Sequence, residues 1–466
     1  MPEKARRWKL NLEASDKPAY LALADAIAED IRSGRLTAQD RLPPLRTLAL
    51  ALGLNYTTAA RGYAEAQARG LIDSKAGQGS FIRATAAALN NRSARSVGLV
   101  EMTMNLPPEP QDATLQARLR RGMAELLAQQ DLPTLLRYQE FGGSAAERDA
   151  GARWLSPLLP KLSRDRVLVC PGIQSALVAL FSTLIRPGEV LCCEAITYPG
   201  VKALSAQFGI KLHGLPVDAE GIVPHEFETA CRVHRPKALY CNPTIQNPST
   251  QTMSLPRRET IATIANQYGI AIIEDDAYGL LPTTPVAPLA TLAPELTYYV
   301  TGLAKHLGAG LRIAYVVAPD ARASQRLVST LRATTIMAAP LTVALATRWI
   351  NDGCANVMLH AIRRDSQARQ RLAADLLPRK SYVSQPDAFH LWLTLPPPWN
   401  RIDFATHLRS RGVGVVGSDA FVVSGTPPEA VRVCLGGSAT LNDCRHSLEL
   451  IADALKEQPA VASAML

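Results

Sequence analysis

The chain has 466 residues, of which 47% are hydrophobic and 20% are charged, and its formal net charge is +9. This length exceeds one ordinary domain, so we expect two or three domains with sizeable cores. Charges interrupt every apolar run, and the basic N-terminus lacks the apolar segment of a secretory signal, which argues against a membrane or secreted protein. The eight cysteines form no Cys-x-x-Cys pair, which indicates reduced thiols and a cytoplasmic location.

Residues 18–83 carry the pattern of three short helices followed by two strands. Apolar residues at positions 23, 27 and 31 recur at helical spacing and predict a first helix that ends at Gly34. The run that begins at Arg41 introduces a second helix, which is expected to stop at Gly53, and Asn55 is a suitable N-cap for a third. Two short strands around a glycine-rich turn follow. The order predicts a winged helix-turn-helix within residues 1–83.

Such a domain reads double-stranded DNA with the N-terminal residues of its recognition helix. An asparagine can pair bidentately with adenine, while threonine and tyrosine can reach thymine methyl groups or phosphates. Arginines before and within the second helix are candidates for phosphate contacts, and a glycine of the wing is a further candidate. The candidate DNA-binding residues are Arg41, Arg46, Asn55, Tyr56, Thr57, Thr58, Arg61 and Gly79.

Residues 84–98 are small, polar and basic, without a convincing apolar face, and we interpret them as a linker. Beyond residue 99 the pattern changes to apolar, β-prone segments that alternate with helical stretches as far as residue 466. Nearly continuous apolar strands between helices are typical of a buried, mostly parallel sheet in an α/β domain. The strand candidates are 167–170, 190–193, 237–241, 270–273, 297–300 and 313–317.

Polar side chains follow these strands where each of them ends. A glycine turn, Gly172-Ile173-Gln174, comes after the first strand and opens a helix, whose free N–H groups can bind an anion. Asn247 follows the third strand, and Asp275 and Tyr278 follow the fourth. Lys305 follows the fifth. Ligands collect at the carboxyl ends of parallel strands, so we expect these residues to form one site.

Lys305 indicates the chemistry of that site. A lysine delivered by a buried strand is poised for desolvation, which lowers its pKa and makes the amine a nucleophile for Schiff-base formation with an aldehyde. Arg312, seven residues later, can offer a planar fork to a phosphate. An aldehyde together with a phosphate describes pyridoxal 5'-phosphate (PLP).

The remaining polar residues suit the same cofactor. The pyridine nitrogen must stay protonated for the ring to accept electrons, and Asp275 can supply the carboxylate this requires. Asn247 and Tyr278 can donate hydrogen bonds to the phenolate oxygen of the ring. Tyr198, which follows the second strand, can stack on the ring face.

Taken together, these motifs resemble the fold-type I, class I/II aminotransferase family, and the N-terminal unit resembles the GntR winged-helix family. Their combination in this order is similar to the MocR subfamily of bacterial transcription regulators. The resemblance covers nearly the whole chain. It implies a PLP-dependent domain with a mostly parallel sheet in a large domain and a smaller α+β domain, over residues 99–466. It also implies a homodimer that binds operator DNA.

The resemblance assigns individual roles. It makes Lys305 the Schiff-base lysine and Arg312 the phosphate arginine, with Gly172, Ile173 and Gln174 in the phosphate turn. Tyr138 matches the tyrosine that reaches the phosphate of the neighbouring subunit. Arg432 matches the arginine that grips the α-carboxylate of a substrate. Gly302 and Ala304 depart from the family pattern, because relatives commonly place hydroxyl groups there.

Three functions remain compatible with the sequence. In the first, the chain is a transcription regulator that senses PLP or a small amino compound through Lys305. In the second, it is a working aminotransferase on an α-amino acid, with the N-terminal unit as an accessory. In the third, it is a scaffold that only binds DNA, which is disfavoured because such a scaffold needs none of the PLP residues.

Overall fold

The computed structural model describes residues 18–32, 36, 40–69, 71–75, 79–82 and 100–457. It divides into two compact units, Met1–Gly98 and Leu99–Leu466. The predicted linker at 84–98 lies outside the described residues, as does Gly34, the expected end of the first helix.

The first unit is the winged helix-turn-helix that the sequence predicts. Its helices are α1 (Ala19–Arg32), α2 (Leu45–Leu52) and α3 (Tyr56–Ala68), and its wing is an antiparallel pair, β1 (Ile72–Lys75) and β2 (Gly79–Ile82). The N-cap of α2 is Pro44, which lacks an N–H and so cannot continue a helix backward. Gly53 ends α2 with a left-handed φ of 64°.

Close packing of α1 on α3 builds the core of this small unit. Gly62 makes the approach possible, since a Cβ there would lie 2.5 Å from the side chain of Leu23. Apolar side chains from all three helices and the wing are buried around this contact. They include Leu23, Ile27, Leu42, Leu48, Tyr63, Ile72 and Ile82.

The second unit is organised by a seven-stranded sheet in the order β4-β12-β11-β10-β9-β5-β6. All neighbouring pairs are parallel except those that β12 makes with β4 and β11. All six predicted strands are present, so the mostly parallel sheet is confirmed. The strands are β4 (Val167–Cys170), β5 (Val190–Glu194), β6 (Lys211–Leu215), β9 (Ala238–Cys241), β10 (Ala271–Asp275), β11 (Thr297–Gly302) and β12 (Ala314–Val317).

The sequence analysis missed β6. It is one of the two edge strands of the sheet, beside β5 alone, and most of its side chains are only partly buried. An edge strand is not required to be apolar on both faces, so β6 lacks the continuous apolar run by which the other strands are recognised.

Helices cover both faces of the sheet and bury two apolar layers. The helix Ile173–Leu184 shows how sequence sets position, since its buried residues recur on the face turned toward β4, β11 and β12. The helices of this large part are Ala113–Gln129, Leu132–Leu135, Ala145–Leu155, Ile173–Leu184, Pro199–Phe208, Pro224–His234, Leu255–Tyr268, Leu289–Leu292, Ala321–Thr334 and Pro340–Asn351. A short hairpin, β7 (Val217–Asp218) with β8 (Gly221–Ile222), precedes the sixth of them.

A smaller α+β part completes the unit. Its sheet has the order β13-β14-β17-β16, formed by β13 (Tyr382–Val383), β14 (His390–Thr394), β16 (Val416–Gly417) and β17 (Ala430–Cys434). The helices Cys354–Leu376, Arg401–Ser410 and Leu441–Ala454 pack around it. At its side, β3 (Val100–Glu101) pairs in parallel with β15 (Val413–Gly414), so the first described residues of the unit join the smaller part.

No helix in the described part of the chain is long and apolar enough to cross a membrane. All eight cysteines are free and buried, in agreement with the thiols expected from their spacing.

Candidate cofactor site

Lys305 lies at the edge of the sheet where the parallel strands have their carboxyl ends. Every residue of β11 is buried, and a short 3-10 turn, Leu303–Lys305, follows directly. The Lys305 ammonium donates to the main-chain oxygen of Asn105. Burial disfavours the charged amine and lowers the pKa of Lys305 to about 8, while nearby Asp275 opposes the shift. Roughly a tenth of the lysine is therefore the neutral nucleophile at pH 7.

Asp275 is the last residue of β10, the strand beside β11, and one of its carboxylate oxygens has no hydrogen-bond partner among the described residues. Its Oδ2 accepts a 2.7 Å hydrogen bond from the Tyr240 hydroxyl. Its Oδ1 is buried and has no hydrogen-bond partner among the described residues. Burial raises the pKa of Asp275 to about 6. An unpaired buried carboxylate oxygen is costly, and a protonated ring nitrogen would satisfy it.

Two side chains are arranged to donate rather than accept. The Tyr278 oxygen accepts a 2.8 Å hydrogen bond from Asn105 Nδ2, which leaves the hydroxyl hydrogen free to donate. Asn247 Oδ1 accepts a 2.7 Å hydrogen bond from Arg432 Nη1, which leaves the Asn247 amide hydrogens available. Both residues therefore suit the phenolate oxygen of a cofactor ring.

Asn105 is a site residue that the sequence analysis missed. It contacts Lys305 through its carbonyl and Tyr278 through its side chain, and Nδ2 also lies 3.3 Å from Nδ1 of His390. Burial lowers the pKa of His390 to about 3, so the imidazole is neutral and accepts at this nitrogen. The segment Asn105-Leu106-Pro107-Pro108 has neither helical nor strand periodicity, so only its contacts reveal its role.

Arg432 carries a buried positive charge without a carboxylate partner in the described part of the chain. It lies in β17, its Nη2 donates to the main-chain oxygen of Thr103, and its guanidinium stacks 4.9 Å from the Phe421 ring. The Nε of Arg432 is buried and has no partner among these residues. A buried cation in this state can bind an anionic group such as a carboxylate.

A candidate phosphate cradle lies where β4 meets the helix Ile173–Leu184. The first N–H groups of that helix have no intrahelical partner, and Gly172 at its N-cap supplies no side chain that would block them. Gly172 has a φ of +89°, and a Cβ there would lie 2.9 Å from Arg312 Nη2. Arg312 itself adopts a left-handed φ of 52°. The positive φ angles of Gly172 and Arg312 thus accompany the approach of the Arg312 guanidinium to the N-terminus of the helix Ile173–Leu184.

The same cradle explains one departure from the family pattern. A Cβ at Gly302 would lie 3.0 Å from Cγ1 of Ile173, so a serine or threonine there would require the isoleucine side chain to shift. Gln174, the next residue of the turn, has its Oε1 3.5 Å from the Tyr198 hydroxyl. Tyr198 is partly buried at the N-cap of the helix Pro199–Phe208, and burial raises its pKa.

Tyr138 is placed apart from these residues. Its side chain is 76% exposed, and no hydrogen bond joins its hydroxyl to Lys305, Asp275 or Arg312 of the same chain. The structure of one chain therefore brings together every predicted cofactor residue except this one.

The recognition helix of the first unit presents its N-terminal residues to solvent. Asn55, Tyr56, Thr57 and Arg61 are exposed, and Thr58 is partly buried. Asn55 caps α3 as predicted, since its Oδ1 accepts a 2.7 Å hydrogen bond from the Thr58 N–H. The cap uses one lone pair of Oδ1 and leaves the other lone pair and both Nδ2 hydrogens, so bidentate pairing of Asn55 with adenine stays a prediction.

Two of the predicted arginines have aromatic neighbours. The Arg61 guanidinium lies 4.3 Å from the Tyr20 ring centre, which holds it beside α1. Arg41 lies against the wing, where a Cβ at Gly79 would be 3.1 Å from its Nε. Arg46, at the start of α2, is exposed. Arg41 and the wing glycine therefore form one surface feature, while Arg46 extends freely.

The chain matches two family models. Residues 99–451 match the aminotransferase class I and II family, and residues 19–82 match the gntR family of bacterial regulatory proteins. The cofactor of the first family is PLP, and the unpaired Asp275 oxygen, the Arg312 cradle and the Lys305 amine fit it.

Two similar proteins align with this chain over nearly their whole length. An uncharacterized HTH-type transcriptional regulator of Bacillus subtilis, YdeF, is 28% identical over 95% of this chain and 96% of its own. The vitamin B6 salvage pathway transcriptional repressor PtsJ of Salmonella typhimurium is 26% identical over 90% of this chain and 94% of its own. Among solved structures, the α-aminoadipate aminotransferase LysN of Thermus thermophilus superposes with a TM-score of 0.69. It is 22% identical and covers 77% of this chain and 92% of its own, a likeness of fold.

Proposed function

Since the chain belongs to the aminotransferase class I and II family and carries a gntR-type unit ahead of that domain, we propose that it is a PLP-dependent transcription regulator of the MocR type. One observation carries the proposal. A cluster of side chains in the second unit that fits PLP accompanies an exposed, capped recognition helix in the first unit. DNA binding by the first unit does not need a cofactor site, and cofactor binding by the second does not need a recognition helix. The combination is explained if binding of the cofactor or effector controls DNA binding.

PLP supplies an aldehyde for a C=N bond and a ring that accepts electron density. Lys305 provides the amine, which partial neutrality makes nucleophilic. Asp275 keeps the proton of the ring nitrogen in place with its free Oδ1. Arg312 and the N-terminus of the helix Ile173–Leu184 bind the phosphate.

The effector in this proposal is a small amino compound. Its amine competes with Lys305 for the aldehyde, and Arg432 is placed to receive a carboxylate on the same molecule. Binding changes the DNA affinity only if the effector has different affinities for the two arrangements of the protein. The name of the Salmonella relative, a repressor of vitamin B6 salvage, supports a regulator that responds to the cofactor itself.

DNA binding falls to α3 and the wing. The proposal gives Arg41 and Arg46 phosphate contacts, and it gives the exposed start of α3 the base contacts. Operators read by such domains are paired half-sites, so a two-fold symmetric protein is expected.

We propose a homodimer for a second reason. Tyr138 is exposed in the single chain, and Leu136 beside it is 87% exposed, which is unusual for a large apolar side chain. A partner subunit would cover both and place Tyr138 near its own phosphate cradle. Sedimentation should therefore show a dimer, and Tyr138→Phe should weaken PLP binding without dissociating it. A monomer that holds PLP tightly would contradict the homodimer.

The experiment that tests the function measures sequence-specific DNA binding against cofactor and effector. Fragments upstream of the gene itself and its neighbours are titrated with the PLP-loaded protein, with random DNA of equal length as the control. Each titration is repeated with a panel of amino acids. The proposal requires a preference for one fragment and a change in its affinity with PLP or an amino compound. Equal affinity for every fragment would refute it.

One observation favours a second candidate, an active aminotransferase. Lys305, whose amine is partly neutral near pH 7, lies in the same site as Arg432 and Asp275, so a group that can move a proton is present. Turnover at about 1–1,000 per second with an amino acid and a 2-oxo acid, in a protein without DNA preference, would establish this function instead.

A further inference from the structure

A cavity of about 190 Å³ lies where the large part of the second unit meets the smaller part. The large part contributes the carboxyl ends of β5 and β9 and the hairpin of β7 with β8. The smaller part contributes Val383 of β13 and Trp392 of β14. The volume exceeds what a single water needs and is below the roughly 300–1,000 Å³ of a site for a drug-sized molecule, so the cavity suits a small ligand.

This cavity is distinct from the cofactor site. None of the residues assigned to the cofactor, all of which the structure describes, lines it. The two sites are connected through Asn242, which lines the cavity and whose Nδ2 donates a 2.6 Å hydrogen bond to the main-chain oxygen of Asp275. Asn242 Oδ1 also accepts a 2.8 Å hydrogen bond from the Asn247 N–H. A ligand in the cavity would therefore lie beside the cofactor without contacting its aldehyde.

Glu194, the last residue of β5, lines the cavity with a buried acidic side chain. Its side chain points to the same face of the sheet as that of Cys192, which packs in one apolar cluster with Met253, another lining residue. Glu194 is 2% exposed, and no basic side chain in the described part of the chain forms an ion pair with it. Its charge is therefore not balanced within the protein.

The carboxyl group of Glu194 can accept further hydrogen bonds. Its Oε1 accepts a 2.8 Å hydrogen bond from the Asn242 N–H, and its Oε2 accepts one of 3.1 Å from the Thr197 hydroxyl. A carboxylate has about four lone-pair sites, so these two donors leave capacity for another. Burial raises the pKa of Glu194 to about 7, because the charged form is poorly solvated. A cationic ligand would offset this cost.

The rest of the lining indicates the shape of that ligand. Asp218 is the other acidic residue there, and its charge is balanced by Arg257, at 3.0 Å. An indole face attracts cations, and Trp392 lines the same cavity as Glu194. Most other lining side chains are apolar, among them Ile196, Val217, Met253 and Val383. One unbalanced acidic group among apolar walls matches a molecule with a single positive charge and a short apolar chain.

We propose that this cavity is a second ligand site, which binds a small organic cation, an ammonium group on a short apolar chain, through Glu194 and Trp392. The proposal goes beyond the proposed function, because the cation needs neither the aldehyde of PLP nor a carboxylate that Arg432 could bind. Tertiary amines belong to this class, and they form no stable C=N bond with an aldehyde. They therefore distinguish the cavity from the cofactor site.

Isothermal titration calorimetry of the full-length, PLP-loaded protein with 2-(dimethylamino)ethanol tests the site. The matched ligand is 3-methylbutan-1-ol, which has the same shape but no charge. At pH 8 the amine is protonated and most of Glu194 is ionised. The amine should bind at one site per chain and at least roughly 10-fold more tightly than the alcohol, as a charge-assisted hydrogen bond implies. No binding of the amine, or equal affinity for the two ligands, would overturn the proposal.

Matched variants locate the bound amine. Glu194→Gln should lower the affinity for the amine roughly 10-fold, to that for the alcohol. Glu189→Gln is the control, because Glu189 directly precedes β5 and pairs with Lys237 at 3.5 Å, outside the cavity. It removes the same charge and should bind both ligands like the wild type. A folded Glu194→Gln with wild-type affinity for the amine would refute the role of Glu194.

A second variant decides the matter if Glu194→Gln does not fold. Val383 lines the cavity and is 45% exposed on β13, so Val383→Trp should leave the core intact and fill part of the cavity. Both ligands should then bind more weakly, and unchanged affinity would overturn the proposal.

Borohydride reduction separates the cavity from the cofactor site. Protein whose cofactor is permanently attached by reduction should bind the amine as the untreated protein does, and loss of binding would place the amine at the cofactor and overturn the proposal. These measurements do not involve DNA. The regulator can therefore be refuted while the cation site stands, and the cation site can be refuted while the regulator stands.

Discussion

Substitution of Gly172 tests directly whether the proposed phosphate cradle binds PLP. Its φ is +89°, and a Cβ at this position would lie 2.9 Å from Arg312 Nη2. Gly172→Ala should therefore act twice. It introduces a side chain into a left-handed backbone conformation, and it displaces the guanidinium that binds the cofactor phosphate.

The two effects have different magnitudes and different assays. Backbone strain of this kind costs about 1–3 kcal/mol of folding free energy, whether or not PLP is bound, and lowers the melting temperature. Loss of the charge-assisted contact from Arg312 costs about 1.5–3 kcal/mol of binding free energy. Since 1.4 kcal/mol is tenfold, PLP should bind roughly 10–100-fold more weakly. A titration followed by the absorbance of the bound cofactor measures this directly.

Gly188→Ala is the matched control. Gly188 has nearly the same φ, +87°, but a Cβ there would meet nothing within 4 Å. This variant should lose a similar amount of stability and bind PLP like the wild type. The reasoning fails if Gly172→Ala keeps wild-type affinity, or if Gly188→Ala weakens PLP binding to the same degree.

Three further outcomes are expected. Borohydride should attach PLP covalently to the wild type but not to Lys305→Ala, and peptide mapping that finds the label elsewhere would exclude Lys305. Burial raises the pKa of Asp275 from 3.8 to about 6, so the folded state binds more protons and apo-protein stability falls as pH rises between these values. Asp275→Asn should thus raise the apo melting temperature at pH 7.5 more than at pH 4, and an equal change at both would contradict this origin. Arg46→Ala should weaken binding to all DNA and lower its salt dependence, whereas Asn55→Ala should lose roughly 1–3 kcal/mol of discrimination at one base pair. Asn55→Ala should also lose about 1 kcal/mol of folding stability with the cap, and equal losses on operator and random DNA would remove Asn55 from base recognition.

The sequence by itself indicated the two units and most residues of the candidate site. Apolar runs identified the central strands because a strand buried on both faces has no polar positions, and the residues that interrupt these runs stand where the strands end. From that placement the sequence predicts that Asp275 and Lys305 lie in one site. In the structure, β10 and β11, which precede them, are neighbours in the sheet. Asn55 could be recognised as a cap because the capping bond is local, spanning three residues.

The tertiary structure alone decided the contacts that do not depend on side-chain type. Lys305 and Arg432 donate to the main-chain oxygens of Asn105 and Thr103. Every residue possesses such an oxygen, so no sequence pattern marks these two positions. The space at Gly302 is likewise limited by Ile173, from another strand's end. Contacts of this kind join residues far apart in the chain, and they arise from how the packed elements approach one another. Local residue preferences specify the elements, whereas the shape of the site depends on distances between elements that only the folded chain sets.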